Sequence, residues 1–210
     1  EAEILKREAP EAQVCVFPWV SPVRSPTIPI SLRRNVLFIG GFKHAPNIDG
    51  LRWFLQDIWP RVRAQLPDAT FNVIGADAPS EFDAYNGRDG VTMMGWVQDL
   101  DPQLDLARIS VAPLRYGAGV KGKVISALSC GVPVVCTSIA CEGTGMVPGE
   151  DVIVSNDPEE FVSSILRLFK DDEAWARLSD RGLRFVGENY SRSAARERVA
   201  GMISAVGVNY

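Results

Sequence analysis

The amino-acid sequence predicts an α/β fold, in which a parallel β-sheet is covered by helices on both faces. Two observations support this fold class: short apolar runs recur along the chain, and segments with the periodicity of amphipathic helices lie between them. Strands that are buried on both faces carry such continuous apolar runs, and their alternation with helices is typical of parallel sheets. Six strands are predicted, at residues 36–40, 71–75, 91–94, 109–112, 132–137 and 152–154.

Helical patterns fill the intervals between the predicted strands. Apolar residues keep to one face from Asn47 to about residue 66, and a shorter helical segment is expected around Leu104. Another short helix is predicted after Lys121, before the strand at 132–137. The last part of the chain is predicted to be helical at residues 158–170, 172–189 and 191 to about 206, each beginning at a residue that suits a helix start.

Residues 1–34 differ in composition from the rest of the chain. Prolines at positions 18, 22, 26 and 29 disfavour a continuous helix, although residues 14–17 could add a strand. We therefore expect a proline-rich connector or the end of a preceding domain at 1–34, the main domain at 35–190 and a C-terminal helix at 191–210. Because the chain begins with Glu1 and not with methionine, we expect it to be a fragment of a longer protein.

The overall charge and the apolar pattern exclude some classes of partner. The 210 residues carry a net charge of −4, which argues against a broad surface for polyanions, so nucleic acid is not expected as the main ligand. No apolar stretch approaches the roughly twenty residues that cross a bilayer, and no signal peptide is recognised. We therefore expect no transmembrane segment, a cytoplasmic location, and anion binding that is confined to a pocket.

Neither the cysteines nor the single histidine indicate a metal site or a nucleophile. The four cysteines match no zinc-ligand spacing and are expected to be buried free thiols. His44 has no serine or cysteine partner that spacing connects to it, so it is either a polar loop residue or a ligand contact. No metal is predicted.

The most informative segment is a glycine-rich basic loop that leads into a short helix and a buried strand, over residues 113–135. Gly117 and Gly119 let the backbone approach an anion, while Lys121 and Lys123 add positive charge where the helix presents unpaired N–H groups. This combination is typical of a phosphate-binding loop. The alternative is an ordinary loop with two solvated lysines.

Glycines also follow the other predicted strands. Gly40 and Gly41 end the first strand, Gly75 ends the second, Gly95 follows the third, and the basic loop follows the fourth. The carboxyl ends of parallel strands lie at one edge of a sheet, where α/β proteins bind ligands. The sequence therefore predicts a nucleotide-type pocket at this edge.

The basic loop also matches the pattern G-x-G-x-x-G, at Gly117, Gly119 and Gly122, with Glu142 twenty residues further on. Dinucleotide-binding motifs have this spacing, so an NAD(P)-binding Rossmann oxidoreductase domain is an alternative. However, such a motif normally follows the first strand of its domain, whereas three predicted strands precede it here.

From position 36 to about 191 the sequence resembles the C-terminal, donor-binding domain of a GT-B glycosyltransferase of the large retaining group called family 4, or group 1. The most specific similarity is the Gly-x-Lys-x-Lys type loop, followed by a helix and by Gly-x-Pro-Val-Val at residues 131–135. The other matching segments are residues 38–41, 46–47, 73–75, 95–97, 142–143 and 189–191. The resemblance implies a Rossmann-like domain that is one half of a GT-B fold.

The resemblance also implies a substrate and its contacts. The donor would be a UDP- or GDP-sugar, from which the sugar passes to an unknown acceptor with retention and without a cofactor or a metal. The diphosphate would be bound by Gly41, Lys43, Lys121 and Lys123. The base and ribose would lie against Gly75, Trp96, Val97 and Ser126, and the sugar would face Tyr116, Gly117, Ala118 and Gly119.

The chain departs from the family pattern at important positions. The family often has two glutamates separated by seven residues, where this chain has Ala118 and Ser126, and an arginine where it has Gly41, for which Lys43 or Arg115 would have to substitute. Catalytic residues are expected partly on an N-terminal acceptor domain, so the isolated chain is expected to bind a donor without turnover. The missing carboxylates leave a non-catalytic GT-B-like domain, with a structural or partner-binding role, as an alternative.

Overall fold

The computed structural model describes residues 2–12, 14–17 and 19–205. Its centre is a six-stranded, wholly parallel sheet, which confirms the predicted fold class. Every predicted strand is present, with bounds that differ from the prediction by no more than two residues. The strands are β1 Asn35–Ile39, β2 Thr70–Ile74, β3 Val91–Gly95, β4 Ala107–Ala112, β5 Val134–Cys136 and β6 Ile153–Val154.

The strand order β3-β2-β1-β4-β5-β6 places a topological switch between β1 and β4. The chain winds outward from β1 to β3, and then returns to the other side of β1 to build β4, β5 and β6. Loops from the carboxyl ends of β1 and β4 therefore diverge and leave a crevice between them, which is where open α/β sheets bind ligands.

Helices cover both faces of the sheet and fill the connections. They are α1 Ala2–Glu8, α2 Ala45–Trp53, α3 Trp59–Gln65, α4 Asp101–Leu106, α5 Gly122–Ser129, α6 Ser138–Cys141, α7 Pro158–Lys170, α8 Asp172–Asn189 and α9 Arg192–Ala205. The predictions for α7 and α8 are confirmed, because both helices have the predicted bounds. The side chains of Asp157 and Asp171 accept hydrogen bonds from the first turns, as expected for N-caps. Among the described residues, no helix is both long and apolar enough to cross a membrane.

The single helix predicted from Asn47 to about residue 66 is divided in two. A π turn at Phe54–Ile58 separates α2 from α3, and the N–H of Trp59 bonds to the carbonyl of Phe54, five residues earlier. Pro60 explains the widening, because its ring has no N–H and would clash with the carbonyl four residues earlier in a regular helix. The apolar face continues through the π turn, so its packing against the sheet is preserved.

The N-terminal segment is only partly a connector. Residues 2–8 form α1, which the proline pattern did not predict, and residues 14–17 form no strand. From Ser21 onward the segment is attached to the domain: the N–H of Ser21 bonds to the carbonyl of Tyr190 at 2.8 Å, and that of Arg24 to the carbonyl of Ser129 at 2.7 Å. Pro18 and residues 206–210, which belong to the predicted connector and C-terminal helix, lie outside the described residues.

Two apolar clusters hold the layers together, one on each face of the sheet. The first is rich in aromatic rings, with Phe54 4.7 Å and Trp59 5.3 Å from Phe71 between ring centroids. The second packs α5 and α8 against the sheet through side chains such as Leu128 and Val186, both fully buried. Burial on both faces explains why the strands read as uninterrupted apolar runs.

Gly75 shows how closely the strand-end loops are packed. A Cβ atom at this position would lie 1.9 Å from the carbonyl oxygen of Gly40. We therefore expect Gly75→Ala to lower the free energy of unfolding by about 1–3 kcal/mol, measured by urea denaturation, because the β1 loop would have to move.

The matched control for this substitution is Gly187→Ala in α8. A Cβ there meets no atom within 4 Å, and alanine favours a helix over glycine by about 1 kcal/mol. This variant should be as stable as the parent chain or more stable. Equal stability of the two variants would contradict the close approach of the β1 and β2 loops.

Candidate anion-binding cleft

The crevice at the topological switch is a cleft of about 710 Å³, which lies in the position predicted from the glycine pattern. One wall is the loop after β1 with the start of α2, and the other is the loop after β4 with the start of α5. Six of the predicted site residues line this cleft: Gly41, Gly117, Ala118, Lys121, Lys123 and Ser126.

Lys123 is a half-buried cation of the cleft. Its ammonium donates a hydrogen bond to Oδ1 of Asn47 and lies 5.1 Å from the ring centroid of Phe38. Burial and the neighbouring charge of Lys121 lower the pKa of Lys123 to about 8. Among the described residues this ammonium forms no ion pair, so an anion that entered the cleft would find an uncompensated positive charge.

Lys121 immediately precedes α5 and is also buried. Its ammonium donates to the carbonyl oxygen of Gly119 at 2.6 Å, so the side chain folds back over its own loop. This loop conformation includes a positive φ at Gly119, +78°, and at Gly117, +126°. Residues other than glycine adopt such backbone angles with strain. The two glycines of the motif therefore shape the loop that carries the lysines.

Asn47 is a cleft residue to which sequence reasoning assigned no role. Its Nδ2 donates to the carbonyl oxygen of Gly41 at 2.8 Å, while its Oδ1 accepts from Lys123. The side chain thus connects the two walls of the cleft and orients the ammonium. The sequence feature that could have identified Asn47 is the Pro-Asn pair a few residues after the glycine turn. Pro46 favours a helix start, and the first turn of α2 places the next side chain over that glycine turn.

Two helices begin at the cleft. The residues that precede α2 and α5, His44 and Lys121, make no side-chain hydrogen bond to the first turn. Their carbonyls accept from the N–H groups of Asn47 and Val124, and Pro46 has no N–H, so the available N–H groups are mainly those of Gly122 and Lys123 at the start of α5. Helix starts carry partial positive charge and favour anions. His44 is an exposed loop residue, as one of the two alternatives predicted, and it also lines the cleft.

The structure does not bring the remaining predicted site residues to the cleft lining. Lys43 is exposed and forms an ion pair with Asp77 at 3.6 Å, and Trp96 is 71% exposed. Gly75 packs behind Gly40, so its missing side chain serves packing of the loops. Val97, Tyr116 and Gly119 likewise do not line the cleft.

Arg115, the other substitute considered for the missing family arginine, is engaged elsewhere. Its guanidinium forms two hydrogen bonds with the carboxylate of Asp49 and lies 5.7 Å from the ring of Trp53. This contact raises the pKa of Arg115 and keeps its charge paired on the outer side of α2. The cleft therefore relies on its two lysines for side-chain positive charge.

The cysteines only partly agree with the prediction of buried thiols. Cys130 and Cys136 are buried, whereas Cys15 is exposed, because the segment around it forms no strand and packs in no cluster. Cys141 is partly buried, and a hydrogen bond with Cys136 lowers its pKa to about 6. Among the described residues, no group of three or more histidine, cysteine or carboxylate side chains could hold a metal ion.

A second groove, of about 470 Å³, lies between α7, α8 and the edge strand β6. Four arginines line it, and one of them, Arg181, is paired with Glu150 at 2.6 Å and with Asp151 at 3.3 Å. None of the predicted site residues reaches this groove. The cleft at the switch point is therefore the candidate functional site.

Comparisons with known proteins show the family of this chain. Residues 33–171 match the family described as glycosyl transferases group 1. A curated relative from Klebsiella pneumoniae, described as an uncharacterized 44.6 kDa protein in the cps region, is 30% identical over 165 residues, which are 74% of this chain and 42% of the relative.

Solved glycosyltransferase structures share the fold. A TarM variant of S. aureus in complex with fondaparinux, alpha-GlcNAc-glycerol and UDP superposes with a TM-score of 0.77 at 16% identity, over 96% of this chain and 41% of that one. The pneumococcal O-GlcNAc transferase GtfA, in complex with UDP and GlcNAc, gives a TM-score of 0.74 at 12% identity, over 99% and 44%.

This chain thus spans less than half the length of these three relatives. The family match nevertheless includes β1 through α7, and with them both walls of the cleft. Since it covers well over half of the 210 residues, the chain belongs to the glycosyl transferases of group 1.

Proposed function

We propose that this chain is the donor-binding half of a glycosyltransferase, which takes a sugar from a UDP- or GDP-sugar and transfers it, with retention, to an acceptor held by an N-terminal domain. The observation that carries the proposal is the pair of lysines at the start of α5, Lys121 buried and Lys123 half-buried, which line a cleft at the switch point. Family membership supports the reaction class. It also disfavours the NAD(P)-binding alternative.

A nucleoside diphosphate fits the cleft in size and in charge. A volume of about 710 Å³ is within the roughly 300–1,000 Å³ that is usual for small-molecule sites. The diphosphate would lie against Lys123, Lys121 and the backbone N–H groups near Gly41. Binding there would compensate the charge of Lys123, whose burial is unfavourable in the free protein.

The same groups would stabilise the transition state of transfer. When the bond between the anomeric carbon and the donor phosphate breaks, negative charge develops on the leaving diphosphate. Two ammonium groups that line the cleft, together with the start of α5, would stabilise that charge.

The chain is proposed to bind without turnover when it is isolated. Its length, less than half that of its relatives, supports a missing acceptor domain that would contribute catalytic residues. Ala118 lines the cleft where the family often has a glutamate near the sugar. This absence favours, as a second candidate, a GT-B-like domain that retains a structural or partner-binding role and does not bind donors.

Binding of UDP or GDP distinguishes the two candidates. We expect calorimetric titration of the chain to detect binding of at least one of these nucleotides, and Lys123→Gln to weaken it by about 10- to 100-fold, because a charge-assisted contact with phosphate contributes about 1.5–3 kcal/mol. The control is Lys170→Gln, at the exposed end of α7, which should bind like the parent chain. Absence of binding to both nucleotides would favour the non-catalytic candidate.

Donor binding should depend on pH through Lys123. Its pKa of about 8 means that the ammonium is charged at pH 7 and mostly neutral at pH 9, so nucleotide affinity should fall about tenfold between these values. The Lys123→Gln variant should lack this fall. A flat profile in the parent chain would show that the diphosphate does not contact this ammonium.

Substitution of Ser126 tests whether the ribose lies beside this residue. The serine lines the cleft within α5, where the family often has a carboxylate. We expect Ser126→Glu to strengthen UDP or GDP binding by about tenfold, since a charged acceptor bonds to ribose hydroxyls more strongly than a serine does. Ser126→Gln is the neutral control. Equal weakening of nucleotide and pyrophosphate binding by Ser126→Glu would place the ribose elsewhere.

A further inference from the structure

We propose that the indole of Trp19 is the stacking surface for the base of the bound nucleotide. This inference rests on the donor-binding function proposed above. Trp19 belongs to the segment before β1, outside the family match at 33–171, and sequence reasoning placed it in a connector. In the structure it lines the cleft at the switch point.

The contact of Trp19 with α5 positions its ring. A Cβ atom on Gly122 would lie 3.9 Å from Cε2 and Cζ2 of the indole, so the six-membered ring rests against the first residue of α5. The residue as a whole is still 59% exposed. One side of the ring is therefore held by the protein, and a large apolar aromatic surface remains free at the cleft.

The segment that carries Trp19 is fixed to the domain. Ser21, two residues later, is buried; its N–H bonds to the carbonyl of Tyr190 at 2.8 Å, and its hydroxyl donates to Oγ of Ser129 at 3.1 Å. Arg24 adds a bond from its N–H to the carbonyl of Ser129 and an ion pair of 2.5 Å with Asp105. The indole is thus presented by an anchored backbone beside α5.

The cleft offers a group for each part of a nucleoside diphosphate. The ammonium groups of Lys121 and Lys123 are assigned to the diphosphate, and Ser126, one turn further along α5, is assigned to the ribose. Trp19 packs beside Gly122, at the start of α5, and is the only indole among the described lining residues. Trp96, which sequence reasoning assigned to the base, does not line the cleft.

Stacking would add affinity where a usual polar contact is missing. Base–aromatic stacking contributes about 1–3 kcal/mol by alanine substitution and accepts any base, because every base has a π-face. The chain has Ser126 where a carboxylate would grip the ribose more strongly. An indole in the same cleft would strengthen nucleoside binding independently of hydrogen bonds to the ribose.

The test compares a ligand with a base and one without. The parent chain, Trp19→Ala, Trp19→Phe and Phe17→Ala are titrated with UDP, GDP and pyrophosphate by calorimetry. Phe17 is the matched control, because it is an exposed aromatic residue of the same segment that does not line the cleft. We expect Trp19→Ala to weaken nucleotide binding about 5- to 100-fold with pyrophosphate unchanged, Trp19→Phe to retain most of the affinity, and Phe17→Ala to have no effect.

Fluorescence gives a second readout, because quenching of Trp19 by a ligand does not depend on whether a variant has lost stability. The emission of Trp19, taken as the difference between the parent chain and Trp19→Phe, should be quenched by the nucleotide that binds and not by pyrophosphate. The inference is overturned if Trp19→Ala binds nucleotide as the parent chain does, weakens nucleotide and pyrophosphate equally, or binds nucleotide more tightly because the ring blocks the cleft. If the parent chain binds neither pyrophosphate nor nucleotide, both this inference and the proposed function fail.

Discussion

The contact between the ammonium of Lys123 and the side chain of Asn47 organises the functional part of this molecule. It joins α5 to the start of α2 across the switch point, and through Asn47 it reaches the carbonyl of Gly41 in the loop after β1. A buried ammonium with only neutral partners is unfavourable, and its lowered pKa expresses that cost. The fold thus maintains a site in which an anion improves the electrostatic balance.

The backbone of the sheet edge makes this contact geometrically available. A Cβ on Gly40 would lie 2.8 Å from Cγ of Asn47 and 3.0 Å from Nζ of Lys123, and one on Gly50 would lie 2.5 Å from the carbonyl oxygen of Pro113. These glycines let α2 and the loop after β4 approach closely. The two walls of the cleft are consequently held close to each other at Asn47 and Lys123.

The departures from the family pattern change the character of the cleft more than its location. With Ala118 and Ser126 in place of carboxylates, the lining has two cations and, among the lining residues that the structure describes, no acidic side chain. Such a lining favours an anion over uncharged hydroxyl groups, which need acceptors. The segment before β1 adds the indole of Trp19 to the lining.

The sequence by itself determined the elements and the edge of the sheet at which the cleft lies, because apolar periodicity, helix caps and glycine turns are local properties of the chain. It identified Lys121 and Lys123 for the same reason. Only the tertiary structure decided which candidates meet: Asn47 contacts Lys123 across 76 positions, Lys43 pairs with Asp77 away from the cleft, and Trp19 joins the lining. Such contacts depend on how α2, α5 and the N-terminal segment pack, and no local pattern encodes a distance between residues so far apart in the chain.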